Sequence, residues 1–132
     1  MGGTYKDLVV WQKAMALVTD IYRSTQEFPR EELYGLTSRL RRAVVSIASN
    51  IAEGKGRDSD RELVRFLHNA RGSVFEVETQ ITIARSLGFL SEKLFRGLDE
   101  STAEVGRMLT GLISRYREVP SATRRPFATP KA

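Results

Sequence analysis

Apolar residues recur at steps of three and four along most of this chain, and polar residues fill the positions between them. This spacing places the apolar side chains on one face of an α-helix, and no alternation typical of a strand competes with it. Breaks at Pro29, at Gly54 and Gly56, and near Gly88 divide the pattern into four segments. We therefore predict four helices, over residues 7–26, 31–53, 59–88 and 91–118.

Residues that cap helices stand at three of the predicted starts. Asp7 and Ser91 are suitable N-caps, and Ser59 followed by Glu62 has the spacing of a capping box. In the first helix the main apolar row, which we expect to face the core, consists of Trp11, Ala14, Met15, Val18, Tyr22 and Thr25. In the second helix the corresponding row consists of Leu36, Leu40, Ala43, Val44, Ile47 and Ile51. In the third helix it consists of Leu63, Phe66, Leu67, Ala70, Val74, Val77, Ile81 and Ala84.

Short connections between long helices make neighbouring helices antiparallel. The pattern thus predicts an all-α protein, an antiparallel up-down-up-down four-helix bundle formed by residues 1–118. Residues 119–132 are rich in Pro, Ser, Thr, Ala and Arg without periodicity, and we predict a disordered basic C-terminal tail there.

A second apolar row runs along the flank of several helices, roughly 100° from the first at the ~100° per residue of an α-helix. A bundle that stands alone needs only one apolar face per helix, so the second row favours contact with another subunit. The alternative is that the bundle's own apolar rows are broad and partly exposed. The expected interface residues are Val10, Leu17, Ile21, Val45, Ala48, Ala52 and Phe75.

The composition indicates the cellular compartment in which the protein is expected. The 132 residues contain no cysteine, which is typical of a reducing compartment and excludes disulfides and thiolate zinc sites. Its apolar runs are too short to span a membrane. We expect a cytoplasmic protein that has no membrane partner.

The chain shows no recognisable catalytic pattern. Its single histidine, His68, lacks the Glu-x-x-His spacing of di-metal helical bundles. We therefore predict that the protein is not an enzyme and uses no metal or cofactor. A polar set on the second helix consists of Arg39, Ser46, Asn50 and Glu53. Such a set forms either a hydrogen-bond network between helices or subunits, which we favour, or a ligand site.

Basic residues are concentrated in one part of the chain. The net charge is +5, and residues 36–75 hold eight basic and four acidic residues, a local charge of +4. Arginine binds phosphate oxygens through its planar fork, so a phosphate-binding surface is one interpretation. A solvated face neutralised by Asp58, Asp60 and Glu62 is the other. The candidate nucleic-acid-binding residues are Arg39, Arg41, Arg42, Arg57, Arg61 and Arg65.

Several segments, in order, resemble the four-helix-bundle family named for the 23S rRNA intervening sequence. They are YKDLVVWQKA (5–14), FP (28–29), ELYGL (32–36), RRA (41–43), SNIAEG (49–54), GR (56–57), RFL (65–67), GS (72–73) and EVET (76–79). The resemblance implies a bacterial cytosolic protein that assembles as a ring-like homopentamer. A related accessory protein of diversity-generating retroelements is similar in fold and binds nucleic acid, which raises that hypothesis for the six arginines.

Two functions remain open from the sequence. The first is a non-catalytic homo-oligomer that binds RNA or DNA through arginines repeated around the ring. The second is a scaffold that docks a protein partner without binding nucleic acid. We favour the first.

Overall fold

Four α-helices and two short 3₁₀ turns form the part of the chain that the computed structural model describes, residues 3–124. No strand occurs within these residues, and the predicted all-α class with four helices is confirmed. The helices are α1 (Val9–Thr25), α2 (Leu36–Lys55), α3 (Asp60–Ser86) and α4 (Glu92–Arg124). The predicted domain boundary at residue 118 lies inside α4, and residues 125–132 of the predicted tail are outside the described part.

Two of the predicted caps are present. The Ser59 hydroxyl accepts a hydrogen bond from the Glu62 amide at 3.1 Å, and the Ser91 hydroxyl accepts one from the Leu94 amide at 3.1 Å. Each bond satisfies an amide that has no partner inside its helix. After α3, Gly88 has a φ of +81°, a conformation that glycine adopts without strain.

Two helix starts differ from the prediction. Asp7 was expected to cap α1, but its carboxylate accepts the Thr4 amide at 3.0 Å and closes a 3₁₀ turn before the helix. The second helix was expected from residue 31 but begins at Leu36, because Arg30–Glu32 form a separate 3₁₀ turn. The Glu32 carboxylate then accepts the Leu36 amide at 3.1 Å.

Contacts between the helices show that neighbours in sequence run antiparallel. Gly54 of α2 packs against Phe66 of α3, while Ser46, two turns earlier on α2, meets Ser73, two turns later on α3. In the same way α1 lies beside α2 and α4, and α3 lies beside α2 and α4. The core between them is aliphatic, and its largest fully buried side chains include Leu17, Ile21, Leu40, Ile47, Ile51, Leu67, Ile81 and Leu109.

The buried face of α1 agrees with the predicted row only at Ala14 and Thr25, which are 0% and 3% exposed. Val10, Leu17 and Ile21, expected at a subunit interface, are at most 2% exposed and lie in the core of the bundle. Met15 and Tyr22, expected in the core, are 39% and 41% exposed. The two rows are about 90° apart on the helix. Aliphatic side chains go inside because they carry no polar atom, whereas the Tyr22 hydroxyl and the Trp11 ring nitrogen favour a surface position.

The other expected interface residues divide into two groups. Ala48 is 5% exposed and belongs to the core, which corrects its assignment to an interface. Val45 and Phe75 are 39% and 57% exposed, and Ala52 is half-buried. Within the described part of the chain, no helix combines the length and the apolar content that crossing a bilayer requires.

Candidate nucleic-acid interface

The turn between α2 and α3 carries three of the six candidate arginines. Gly54 is buried here, and α3 approaches so closely that a Cβ on it would lie 2.8 Å from the Phe66 Cβ. The guanidinium carbons of Arg57 and Arg65 lie 4.7 and 4.6 Å from the centroid of the Phe66 ring. This cation–π packing holds two arginine heads at one end of the bundle.

Only one arginine at this turn has a carboxylate partner in the described structure. Arg65 Nη2 donates to Glu62 Oε1 at 2.9 Å. That hydrogen bond and the charge of Arg65 lower the pKa of Glu62, with smaller contributions from Arg57 and Arg61. Within residues 3–117, Arg57 and Arg61 form no ion pair. The turn therefore presents two arginines that have no direct carboxylate partner within these residues.

A polar groove lies between α2 and α3 and holds two more candidates, Arg39 and Arg42. It has a volume of about 390 Å³ and is bordered by Arg39, Arg42, Ala43, Ser46, Glu76 and Gln80. Neither arginine is within ion-pair distance of a carboxylate in the described residues, although Glu76 lies in the same groove. The buried Gln80 Oε1 has no hydrogen-bond partner there. The groove thus combines free guanidinium donors with a side-chain amide.

Arg41 does not belong to this surface. Its Nε donates to the Thr25 hydroxyl at 2.8 Å and its Nη2 donates to the Tyr22 carbonyl at 3.4 Å. Its guanidinium also lies 4.7 Å from the centroid of the Tyr22 ring. These contacts direct Arg41 towards α1, where it ties α1 to α2. These contacts favour a structural role for Arg41, and its assignment to nucleic-acid binding stays an untested prediction.

The five remaining candidate arginines form two separate groups rather than one continuous surface. Fifteen residues separate Arg42 from Arg57, which corresponds to about 22 Å along a helix axis. A phosphate chain that contacts both groups has to follow the α2/α3 groove along the length of the bundle. We call these five residues the α2/α3 arginines: Arg39, Arg42, Arg57, Arg61 and Arg65.

The polar network predicted on α2 is smaller than expected and includes a residue of α3. The Ser46 hydroxyl accepts from Asn50 Nδ2 at 3.0 Å and from the Ser73 hydroxyl at 2.9 Å. Neither Arg39 nor Glu53 takes part in a hydrogen bond of this network. Ser73 was missed, although its position on the flank of the α3 core row is a signal for a polar contact between helices.

His68 lies on the opposite flank of α3. Its Nδ1 is 3.4 Å from Arg71 Nη2, and its buried Nε2 has no hydrogen-bond partner in the described structure. Burial lowers the pKa of His68, and the charges of Arg71 and Arg117 lower it further. Among the residues searched, no group of three or more His, Cys, Asp or Glu side chains is placed to hold a metal ion.

The outer surface formed by α1 and α2 has a different character. Helix geometry places an apolar row of each helix beside the contact between Arg41 and Tyr22. Arg41 is the one charged residue among these rows, and its guanidinium is occupied by Thr25 and Tyr22. We call this surface the α1/α2 face, and it comprises Trp11, Met15, Val18, Tyr22, Val45 and Ala52.

These features define a small all-α bundle with a largely apolar side, formed by α1 and α2, and an arginine-bearing side, formed by α2 and α3. Over residues 6–111 the chain matches the family model of the 23S rRNA-intervening sequence protein. Because this match covers most of the chain, the protein belongs to that family.

A solved structure supports the same fold. The chain is similar to a protein of unknown function from the S23 ribosomal protein family of Bacteroides thetaiotaomicron, with a TM-score of 0.75 and 18% sequence identity. The similarity covers 80% of this chain and 96% of the other. No curated protein sequence matches.

Proposed function

We propose that this protein is a non-catalytic, cytoplasmic homo-oligomer that binds the phosphate backbone of RNA or DNA. The observation that carries the proposal is the set of α2/α3 arginines, four of which have no carboxylate partner within the described residues. Guanidinium groups without such partners are free to donate paired hydrogen bonds to phosphate oxygens. Contacts of this kind supply affinity without reading base sequence.

Self-association through the α1/α2 face is the second part of the proposal. Interface cores are depleted of charge and enriched in aromatic residues and Met, which is the composition of this face. A ring of five copies, as the family resemblance implies, needs a heterologous contact in which this face meets a different surface of the next copy. Five copies of the α2/α3 arginines on one ring increase the affinity for a long nucleic acid through avidity.

Double substitution of arginines tests the nucleic-acid contact. We expect Arg39→Gln/Arg42→Gln and Arg57→Gln/Arg61→Gln each to weaken binding of a labelled structured RNA by about tenfold at low salt, because each removes two phosphate donors. The measurement is fluorescence anisotropy. Arg23→Gln/Arg115→Gln removes the same charge from α1 and α4 and should change affinity much less. Equal losses in all three variants would show that only net charge matters.

A protein scaffold is the second candidate function, and the α1/α2 face is the observation that favours it. A largely apolar surface rich in aromatic residues and Met is suited to a protein partner as well as to a second copy. This function predicts that a protein partner docks on the protein and that RNA does not bind at low salt.

A further inference from the structure

A groove between α3 and α4, on the side of the bundle away from the α1/α2 face, contains the most exposed phenylalanine among the described residues. Phe75 is 57% exposed and borders a groove of about 360 Å³. This volume is at the lower end of the range of about 300–1,000 Å³ that is typical of ligand pockets. Neither the family match nor the proposed contact through the α2/α3 arginines assigns a role to this groove.

Helix packing keeps the groove open beside the Phe75 ring. On the α4 side the groove is lined by Ala103 and Gly106. Alanine has only a methyl group and glycine has no side chain, so neither covers the Phe75 ring. A Cβ on Gly106 would lie 3.3 Å from Val74 Cγ1, so the two helices approach closely at the floor. The result is a shallow trough with a phenyl ring on one wall.

Two arginines line the groove, one from each helix. Arg71 and Phe75 are four residues apart on α3 and therefore share one side of the helix, and Arg107 comes from α4. Arg71 is positioned by donating to the Thr110 hydroxyl at 3.3 Å and by its contact with His68. Neither arginine has an ion-pair partner in the described part of the chain, and Glu78 is the one acidic residue in the groove.

We propose that this groove binds an unpaired nucleotide of single-stranded nucleic acid, with the base stacked on Phe75 and the flanking phosphates on Arg71 and Arg107. An aromatic ring beside a positively charged groove is the arrangement by which proteins hold single strands without strong sequence preference. The Glu78 carboxylate repels phosphate and so keeps the backbone near the two arginines, while it can accept a hydrogen bond from an exocyclic amino group of a base. This proposal rests on the nucleic-acid function proposed above and adds to it the recognition of unpaired bases.

The test compares two 12-nucleotide probes, a mixed-sequence single strand without self-complementarity and an abasic strand with the same phosphates. We expect the wild-type protein to bind the base-bearing strand at least about fivefold more tightly, which is the lower end of what one stacked base contributes. Phe75→Leu, which keeps an apolar side chain but has no aromatic face, should remove this preference, and Phe75→Trp should retain it. Arg71→Gln/Arg107→Gln should weaken binding of both probes.

Three other results would overturn the proposal, and they differ in what they imply. Equal binding of both probes by the wild type would rule out base stacking on Phe75 but would remain compatible with phosphate binding by the α2/α3 arginines. Failure to bind either probe or a structured RNA would remove the nucleic-acid function itself. A fall in the solution mass of Phe75→Leu, measured by light scattering on the same samples, would assign Phe75 to a contact between copies of the chain.

Discussion

At the scale of single residues, two helical glycines of this chain have different structural roles. Gly54 is buried where α2 meets α3, and a Cβ there would lie 2.8 Å from the Phe66 Cβ and 3.1 Å from Leu63 Cδ1. Gly97 in α4 has open space around it, and beyond its chain neighbours and the backbone of its own helix no atom lies within 4 Å of an added Cβ. The first glycine permits the close packing that positions Arg57 and Arg65, whereas the second only weakens its helix.

Alanine substitution at these two glycines should have opposite effects. We expect Gly54→Ala to lower the free energy of unfolding by about 1–3 kcal/mol, because the added methyl group overpacks the α2/α3 contact. Gly97→Ala should raise it by up to about 1 kcal/mol, since alanine favours a helix more than glycine does. Urea unfolding of both variants measures these changes. A stabilised Gly54→Ala would contradict the close approach.

His68 should make the stability of the protein depend on pH. Its pKa is lowered in the folded state by burial and by Arg71 and Arg117, so the unfolded chain takes up the proton first as the pH falls. Stability is therefore fully present above the unfolded pKa of about 6.5 and is lost as the pH falls through the lower, folded value. Since this is the single histidine, one NMR resonance reports the folded pKa directly.

Replacement of the histidine separates its contribution from that of the carboxylates. His68→Gln should lose less stability than the wild type between pH 7 and pH 5 in urea unfolding experiments. A folded pKa of His68 at or above 6.5 would contradict its burial beside Arg71 and Arg117. An equal loss of stability in His68→Gln and in the wild type would contradict it as well.

At the scale of elements, α1 shows how far the sequence could predict the fold. Its existence, its end before Phe28–Pro29 and its amphipathic character follow from apolar spacing and from proline. Its buried face does not, because the helix has two apolar rows, and only packing against α2 and α4 decides between them. On α2 and α3, where one apolar row dominates, the predicted core rows lie in the core, from Leu40 and Ile47 on α2 to Val77 on α3.

The candidate site was predictable in composition but not in arrangement. Helical spacing places Arg39, Arg41 and Arg42 on the outer part of α2, yet a hydrogen bond to Thr25 draws Arg41 towards α1. That partner is far away in sequence, so no local pattern could indicate it. For Ser73, the spacing on α3 indicates a polar contact between helices, but it does not indicate the partner, because Ser46 lies on another helix.

A pair of alanine substitutions on α1 tests which of its rows is buried. Leu17→Ala should lower the free energy of unfolding by about 2–5 kcal/mol, as expected for a fully buried leucine. Met15→Ala, two residues earlier and 39% exposed, should cost less than half as much at the same protein concentration. Urea unfolding measures both losses. A larger loss for Met15→Ala than for Leu17→Ala would show that the row predicted from sequence is the buried one.

At the scale of the whole molecule, the two sides of the bundle account for the two parts of the proposed function. In the proposal, the α1/α2 face offers a largely apolar surface to a second copy, while the α2/α3 arginines remain available to phosphate. Because α2 contributes to both sides, self-association and nucleic-acid binding are placed next to each other but use different residues. The two activities should therefore be separable by substitution.

Charge introduced into the α1/α2 face should dissociate the oligomer. We expect Met15→Glu/Val45→Glu to reduce the solution mass to that of one chain, since a carboxylate buried between subunits has no partner there. Ala16→Glu adds one such carboxylate on an exposed part of α1 about 100° from Met15 and should leave the mass unchanged. Light scattering after size exclusion measures the mass. An oligomer that survives the double substitution would place the contact elsewhere.

The most direct test of the central claim is the affinity of the wild-type protein for a structured RNA, measured across a salt series at known oligomer mass. Contact with several phosphates predicts that the logarithm of the binding constant falls linearly with the logarithm of salt concentration, by about 0.9 for each phosphate neutralised on a duplex. We expect a slope of about 3 or steeper, because in the proposed ring the arginines of several copies contact one RNA. Absence of binding at low salt would contradict the account and favour the protein scaffold.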